Sequence, residues 1–143
     1  MQKIKVATTP LEKEQAMEVR RTVFIEEQGV PAAIEMDAND ATAIHFVGYQ
    51  FAQPIAAGRI REIEPGIGKV ERVCVLPEYR GHRTGVLLME AMEEHARSIG
   101  IFKLKLNSQS YAIPFYEKLG YAITSEEFFE ADISHRSMEK NLL

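Results

Sequence analysis

The chain has 143 residues, of which 45% are hydrophobic and 27% are charged, and its formal net charge is -4. This length predicts a single domain over residues 1–143 that buries about two thirds of its unfolded surface. The acidic balance argues against a nucleic-acid partner, because neutralising phosphates requires a basic surface.

The N-terminus and the cysteine content indicate the compartment. The first residues, MQKIKVATTP, lack a signal-peptide core, and no apolar run approaches the roughly 20 residues of a membrane helix. One cysteine allows no internal disulfide, which favours a reducing environment. We therefore expect a cytoplasmic protein with no membrane partner.

The first part of the chain predicts a strand and a capped helix. The alternating run QKIKVAT is typical of a strand. In TPLEKEQAMEVRRTVFIEEQG, Thr9 is the expected N-cap, Pro10 takes the first helical position and Glu12 completes a capping box. Gly29 is the expected end of this helix, and residues 30–42 are polar and irregular.

The middle of the chain predicts a hairpin, a third strand and a long helix. AIHFVGYQF and PIAAGRIREI are strand-like and separated by an Ala-Gln-Pro turn, and KVERVCVL follows the turn EPGIG. In TGVLLMEAMEEHARSIG, Leu88, Met92 and Ile99 recur at helical spacing, and Glu93 can pair with Arg97.

The last part predicts a strand in IFKLKLN, a short helix in YAIPFYEKLG that ends at Gly120, and a final strand in SHRSMEKNL. The element order is therefore β-α-(α)-β-β-β-α-β-α-β-β. Such an order predicts an α/β fold in which a mixed sheet carries helices on both faces.

The turn between the third strand and the long helix, in VCVLPEYRGHRTGV, has the features of an anion site. Gly81 and Gly85 leave room for backbone amides at a helix N-terminus, and Arg80, His82 and Arg83 supply donors and positive charge. The alternative is an ordinary turn with solvated arginines. A Walker loop and the dinucleotide fingerprint are both absent from the sequence.

This turn resembles the acetyl-CoA-binding signature of the GNAT superfamily of N-acyltransferases. Arg80 and Gly85 match that signature, whereas Arg83 stands where the family has its middle glycine. PFYEKLGY is similar to the C-terminal helix of the family. RRTVFIEEQGVP, EMDANDATAIHF and FFEADISHRSMEK resemble the ElaA/YjcF-like bacterial group, and RRTVF also resembles the start of the acyl-homoserine-lactone synthases.

The resemblance implies a mostly antiparallel sheet of about seven strands, with acetyl-CoA as co-substrate between the splayed strands RVCVL and FKLKLN. Loop amides would hold its pyrophosphate, and the strand backbone would bind its pantetheine and polarise the thioester carbonyl. The implied cofactor-binding residues are Val73, Cys74, Val75, Arg80, Gly81, His82, Arg83, Thr84, Gly85, Val86 and Asn107.

Two residues are candidates for catalysis. The resemblance implies that Tyr116 is the general acid, and a phenol of pKa about 10 is roughly matched to a departing thiolate. The alternative is a packed tyrosine with a hydrogen-bonded hydroxyl. Glu71 is a candidate base, and alternation predicts that Glu71, Val73 and Val75 share one face of their strand. A solvated glutamate, or a water chain in place of any base, is the alternative.

The acceptor site is expected near a run of acidic residues after the first helix, where an acidic rim would attract a cationic amine. A solvated acidic loop is the alternative. His45 and His135 lie in the segments that resemble the ElaA/YjcF-like group, so each is a candidate for the acceptor pocket. The acidic residues are Glu26, Glu27, Glu35, Asp37 and Asp40.

Two further side-chain chemistries are not expected. The four histidines lie on different elements without a close ligand pair, which argues against a metal. Cys74 has no visible activating base and is expected to be a buried small residue rather than a nucleophile.

We therefore expect an N-acyltransferase that moves an acetyl group from acetyl-CoA to a primary amine by direct attack. The acceptor class is open between a small amine, an aminoglycoside, a peptide N-terminus and a lysine side chain, and a homodimer is common among GNAT proteins. The alternative function is a non-catalytic acyl-CoA-binding module that regulates without turnover.

Overall fold

The computed structural model describes residues 2–143, which contain eight strands, four α-helices and one π-helix. The strands are β1 (Gln2–Val6), β2 (Ile44–Gln50), β3 (Gln53–Glu64), β4 (Ile67–Val75), β5 (Lys103–Gln109), β6 (Ala122–Ile123), β7 (Phe128–Glu130) and β8 (Ile133–Asn141). The helices are α1 (Pro10–Arg20), the π-helix (Arg21–Glu27), α2 (Ala32–Glu35), α3 (Thr84–Ser98) and α4 (Ile113–Lys118). No helix within residues 2–143 is long and apolar enough to cross a membrane.

The strands form one mixed sheet in the order β1-β2-β3-β4-β5-β8-β6, with β7 paired to β8. Only the β4–β5 pair is parallel among the described strands. Helices α1 and α3 pack on β2, β3 and β4. They belong to two separate apolar clusters, one on each face of the sheet. The predicted fold class is confirmed, with eight strands in place of about seven.

The core on the α3 face explains why the long helix forms where its apolar spacing predicts. Leu88, Met89, Met92 and Ala96 are fully buried against the sheet. Burying each of the larger side chains stabilises the fold by about 1.5–3 kcal/mol. A Leu88→Ala change would leave a cavity and cost about 2–5 kcal/mol of unfolding free energy.

The first helix begins as predicted but changes form before its expected end. The Thr9 hydroxyl accepts the amide of Glu12 at 3.1 Å, and the Glu12 carboxylate accepts the amide of Thr9 at 3.1 Å, which is the predicted capping box. From Arg21 the turns widen into the π-helix, in which the Gln28 amide donates to the carbonyl of Val23. A continuous α-helix to Gly29 was therefore the wrong prediction.

Strands β4 and β5 pair over only part of their length. Their register runs from Ile67 opposite Lys103 to Val70 opposite Leu106. Beyond this point, among the strands of residues 2–143, β4 pairs only with β3, and β5 pairs only with β8. The sheet therefore opens as a V between its two halves, in agreement with the splay that the resemblance implies.

A β-bulge lies in β4 where this opening starts. Arg59 of β3 is opposite Glu71, and Ala57 is opposite Cys74, so two residues of β4 face one of β3. The first of these two, Arg72, has a φ of 59°. The extra residue reverses the alternation, and Glu71 therefore lies on the α1 face with Arg59, whereas Val73 packs on the α3 face. The prediction that Glu71 shares a face with Val73 and Val75 was wrong.

Candidate active site

The V between β4 and β5 is the floor of a cleft of about 1000 Å³. We call its two sides the loop half and the hairpin half. The loop half consists of Val73, Cys74, Val75, Tyr79, Arg80, Gly81, Arg83, Thr84, Gly85, Val86, Phe115 and Tyr116. The hairpin half consists of Phe24, Gln28, Val30, Ile34, Asn107, Gln109, Tyr111, Glu130, Ala131, Ile133 and His135.

The loop half contains the N-terminus of α3, which carries no side-chain cap. The first amides of a helix have no intrahelical partner and carry partial positive charge. Gly81, at a φ of 82°, has open space where a Cβ would stand. This half therefore offers the backbone donors and the room that an anionic group requires.

Arg83 occupies the N-cap position of α3 with a φ of 64°. A non-glycine residue in this left-handed region is strained by about 1–2 kcal/mol, which explains why the family signature places glycine here. The Arg83 side chain is exposed on the cleft and forms no ion pair with any residue from 2 to 143. Its charge is therefore available to a ligand.

Gly85 allows a close contact between two helices. A Cβ at this position would meet the ring of Phe115 at 3.1 Å, so the start of α3 packs directly on α4. The sequence interpretation, in which Gly85 leaves room for an anion, therefore omits this packing role. Thr84 is buried and donates to the Gln2 side chain at 2.8 Å, whereas His82 is exposed and lies outside the cleft lining.

Arg80, in the loop before α3, forms hydrogen bonds with β4 and with the end of the π-helix. Its Nε donates to the carbonyl of Val75 at 3.0 Å, and its two Nη atoms donate to Glu27 at 2.8 and 2.6 Å. The hydrogen bond from Arg80 lowers the pKa of Glu27. Glu27 therefore contacts Arg80 rather than an acceptor, and the exposed Glu26 lies outside the cleft lining.

Tyr116 lies at the base of the loop half. It is 8% exposed and packs edge-on against Phe115 and Tyr121, with ring centroids 5.0 and 5.8 Å apart. No hydrogen bond to its hydroxyl is formed within residues 2–143, so the alternative of a satisfied packed tyrosine is not observed. Burial raises the pKa of Tyr116, which keeps it in the phenol form that can donate a proton.

Glu71 is surrounded by cations. Arg59, Arg61 and Lys69 lie 2.9, 2.7 and 3.6 Å from its carboxylate oxygens, and only 12% of its side chain is exposed. Burial alone would raise the pKa of Glu71, but the hydrogen bond from Arg61 and the neighbouring positive charges outweigh it and lower the pKa. A carboxylate held ionised in this way is a weak base, which argues against the predicted role.

The predicted acidic rim is an ion-pair cluster instead. Arg20 and Arg59 have side chains only 1% exposed; Arg20 binds two carboxylates and Arg59 binds three. The hydrogen bond from Arg59 is the main cause that lowers the pKa of Asp37 to about 2. Burial raises the pKa of Glu35 despite its arginine partners. The pairs join Arg20 to Glu35 and Asp40, Arg59 to Asp37, Asp40 and Glu71, and Arg72 to Glu35 and Asp37.

Glu130 is the exception among the carboxylates of the cleft. It forms no ion pair within residues 2–143 and accepts a hydrogen bond from Asn107 Nδ2 at 3.1 Å. The side-chain oxygen of Asn107, Oδ1, in turn accepts a hydrogen bond from Ser137 Oγ at 2.8 Å. Asn107, a predicted cofactor contact, therefore holds Glu130 at the mouth of the hairpin half.

The two candidate histidines have different positions. His135 is 7% exposed, lines the hairpin half and stacks on Phe128 with a centroid separation of 5.9 Å. His45 is 3% exposed, bonds the carbonyl of Asp40 through Nε2 at 2.8 Å and does not line the cleft. Of the two candidates, His135 therefore lines the cleft and His45 does not.

Two observations concern possible metal ligands and the single thiol. No group of three or more His, Cys, Asp or Glu within residues 2–143 is arranged to hold a metal ion. Burial raises the pKa of the Cys74 thiol, which is 5% exposed and packs in the apolar cluster under α1. A protonated buried thiol is inert as a nucleophile.

Sequence reasoning missed much of the hairpin half. The π-helix and its C-cap bring Phe24 and Gln28 to the cleft, and no change in hydrophobic periodicity marks the switch from α to π geometry. The short strand β7 has no clear alternation in FFEADISH and is defined by its pairing with β8. The missed residues are Phe24, Gln28, Val30, Ile34, Gln109, Tyr111, Glu130 and Ile133.

Comparisons with solved structures support the fold. A Lactobacillus plantarum protein of known crystal structure is 32% identical with a TM-score of 0.93 over 99% of both chains. Escherichia coli ElaA is 21% identical with a TM-score of 0.86 over 98% of this chain and 99% of its own. An aminoglycoside 6'-N-acetyltransferase complexed with coenzyme A is 16% identical with a TM-score of 0.74, over 100% and 97% respectively.

Sequence comparisons establish the family. A model described as an acetyltransferase (GNAT) domain matches residues 8–142. The uncharacterized N-acetyltransferase YjcF of Bacillus subtilis (strain 168) is 42% identical over 127 residues, which cover 88% of this chain and 90% of that protein. These matches indicate acyl transfer as the class of reaction. The chain therefore belongs to the GNAT family of acetyltransferases, and its resemblance to the ElaA/YjcF-like bacterial group is confirmed.

Proposed function

We propose that the protein transfers an acetyl group from acetyl-CoA to a primary amine by direct attack. One observation carries this proposal: the β4–β5 opening leads to the uncapped N-terminus of α3 and to the unpartnered hydroxyl of Tyr116. A single cleft thus holds an anion-binding helix end, a free strand edge and a proton donor.

The loop half fits the donor substrate. The amides at the start of α3 and the free charge of Arg83 suit a pyrophosphate. Beyond Val70, β4 pairs only with β3, so the other edge of residues 71–75 is free to bind an extended pantetheine arm. The Val75 carbonyl already accepts from Arg80, which makes Val73 the better candidate of the two predicted backbone contacts.

The chemistry of transfer requires a neutral amine, a polarised carbonyl and a protonated leaving group. A backbone N–H on the free edge of β4 would polarise the thioester carbonyl as a one-donor oxyanion hole. Tyr116 keeps its proton because burial raises its pKa, and its hydroxyl has no protein acceptor within residues 2–143. It would give this proton to the departing thiolate.

The hairpin half suits an amine with an apolar body and a single positive charge. Phe24, Val30, Ile34, Tyr111 and Ile133 give it an apolar lining. Its neighbouring carboxylates are neutralised by arginines, and of the described carboxylates that line the cleft Glu130 alone has no ion pair. A polycationic acceptor such as an aminoglycoside would find too few partners here, although one structural neighbour acts on that class.

Calorimetric titration of acetyl-CoA tests the donor site. Arg83→Glu reverses an exposed charge beside the start of α3 and should weaken binding at least tenfold. Lys13→Glu makes the same charge change on exposed α1, away from the cleft lining, and should bind like wild type. Failure of folded wild-type protein to bind acetyl-CoA would overturn the proposed function.

The alternative function, an acyl-CoA-binding module without turnover, differs in one observable. Such a module binds acetyl-CoA but releases no thiol with any amine. The Tyr116 hydroxyl favours the enzyme, because it has no protein partner within residues 2–143 and its residue lines the cleft, where a proton donor is needed. An amine panel of 2-phenylethylamine, kanamycin and a short peptide separates the two functions and ranks the acceptor classes.

A further inference from the structure

His135 has its two ring nitrogens in different environments. Nδ1 lies 2.6 Å from the carbonyl oxygen of Ile133. A carbonyl oxygen can only accept a hydrogen bond, so Nδ1 carries the proton of the neutral ring and Nε2 carries the free lone pair. Nε2 has no protein partner within residues 2–143 and is not sealed from solvent. The ring therefore presents a base to the cleft.

The β7–β8 hairpin holds this ring in place. Stacking on Phe128 and the bond to Ile133 leave the imidazole little freedom, and only 7% of the residue is exposed. The register pairs Phe128 with His135 and Glu130 with Ile133, so all four side chains share one face of the hairpin. Glu130 and His135 are diagonal neighbours, with Cβ atoms about 7–8 Å apart or less.

The charged surroundings of His135 favour an ammonium group. Glu130 of β7 is the charged residue on its own face, and it has no cationic partner within residues 2–143. The facing residues of β5 and of the π-helix segment, Gln109 and Gln28, are uncharged and bond each other. Across the cleft, Lys69, Glu71 and Arg72 of β4 are engaged in ion pairs.

We propose that His135 is the general base that deprotonates the acceptor amine through Nε2, and that Glu130 attracts the ammonium to it. This inference rests on the proposed function. It assigns to the hairpin half the role that Glu71 cannot fill. Glu71 is held as an anion by three cations, whereas His135 has one fixed proton and one open lone pair.

The proton and electron movements balance as follows. The ammonium R–NH3+ gives one proton to Nε2 of His135, and the lone pair of R–NH2 forms the C–N bond at the thioester carbonyl carbon. The C–S bond breaks, its electron pair leaves with sulfur, and Tyr116 protonates the thiolate. The second proton lost by the acceptor nitrogen returns to the Tyr116 oxygen, and His135 releases its proton to water.

His135→Asn separates catalysis from structure. An asparagine amide can still donate to the Ile133 carbonyl in place of Nδ1–H, but it offers no base at the position of Nε2. With the fastest amine of the panel, kcat at pH 7 should fall about 10²- to 10³-fold, with little change in KM for acetyl-CoA. Glu130→Gln should raise KM for the amine more than it lowers kcat.

The pH profile is the readout that a structural role would not change. The loss of kcat in His135→Asn relative to wild type should become smaller as pH rises towards the pKa of a free alkylamine, about 10. At that pH the amine loses its proton without a base. His95→Asn, on α3 and outside the cleft lining, should match wild type. A deficit that is constant with pH, or full activity of His135→Asn, would overturn the proposal.

These results are distinguishable from failure of the proposed function. If wild type binds acetyl-CoA but acetylates no amine, the transferase assignment fails and the proposal fails with it. If wild type turns over and His135→Asn does so equally, only the proposal fails. Should His135→Asn not fold, imidazole nitrogen chemical shifts of wild type decide: the Nδ1–H tautomer supports the proposal, and the Nε2–H tautomer contradicts it.

Discussion

The two halves of the cleft are built in different ways. The loop half comes almost entirely from one stretch, residues 73–86, together with a short segment around Tyr116. The hairpin half is assembled from the π-helix region, the end of β5 and the β7–β8 hairpin, and the last two lie more than 70 residues after the first along the chain. A site that is local in sequence can be recognised from its motif, whereas a site built from distant segments needs the fold.

The halves also differ in how their charges are used. In the loop half, the α3 N-terminus and Arg83 leave positive charge open to a ligand. Beside the hairpin half, four carboxylates are neutralised by arginines, so that little free negative charge remains. We infer that the loop half binds by electrostatics and that the hairpin half binds mainly by shape and apolar contact.

The largest expected effect comes from breaking the ion-pair cluster beside the hairpin half. Arg59→Ala would leave Asp37, Asp40 and Glu71 without their shared buried cation. Removing one partner from such a buried cluster costs about 3–5 kcal/mol of unfolding free energy. Urea denaturation of Arg59→Ala and wild type measures this loss of unfolding free energy.

Arg61→Ala is the matched control, because Arg61 is 26% exposed and its one ion pair within residues 2–143 is with Glu71. It should cost no more than about 1 kcal/mol. Equal losses for the two variants would show that the cluster is not the structural support described here.

The next effect concerns the loop half. Tyr116→Phe removes the unpartnered hydroxyl and leaves the edge-on ring contacts in place. Turnover should fall about 10²- to 10⁴-fold, because the hydroxyl that donates the proton is gone, whereas affinity for acetyl-CoA should stay within about twofold. Steady-state kinetics and calorimetry on the same preparation give both numbers. A wild-type rate in the variant would remove Tyr116 from the mechanism.

A smaller effect is the acid dependence of stability. The folded-state pKa of Asp37 is about 2, below its ordinary value of 3.8, so its pairing with Arg59 stabilises the fold fully above about pH 4. This contribution is lost as pH falls from about 4 to 2. Urea unfolding between about pH 4 and 2 should show that the unfolding free energy of Asp37→Asn falls less steeply with decreasing pH than that of wild type. Identical slopes would contradict the pairing.

The smallest effect is on the backbone of the loop half. Arg83→Gly relieves a left-handed residue at a φ of 64° and should stabilise the fold by about 0.5–1 kcal/mol. The same change removes a free charge and should weaken acetyl-CoA binding severalfold. Thermal denaturation and calorimetry measure the two changes. A loss of stability would show that the arginine side chain has a structural contact.

Much of the fold was predictable because its signals are local. The capping box at Thr9, the apolar spacing of α3 and the β2–β3 hairpin each depend on a few neighbouring residues. The bulge at Arg72 and the π-helix could not be predicted, because each inserts one residue without changing the hydrophobic periodicity of the sequence.

The candidate site likewise contains residues that local sequence signals predicted and residues that they did not. Arg83, Gly85 and Tyr116 were identified from one motif and a resemblance, and all three line the cleft. The acidic residues were noticed, but the sequence does not show that Arg20 and Arg59 neutralise them, because the pairs span up to 22 residues and two elements. Glu130 was missed because only the register of β7 and β8 brings it beside His135.

The most direct test is to measure free thiol released from acetyl-CoA by wild-type protein, with and without 2-phenylethylamine, and the acetylated amine by mass spectrometry. The account predicts amine-dependent release with one acetyl-amine formed for each thiol. Binding of acetyl-CoA without amine-dependent release, for this amine and for the rest of the panel, would contradict it and identify a binding module.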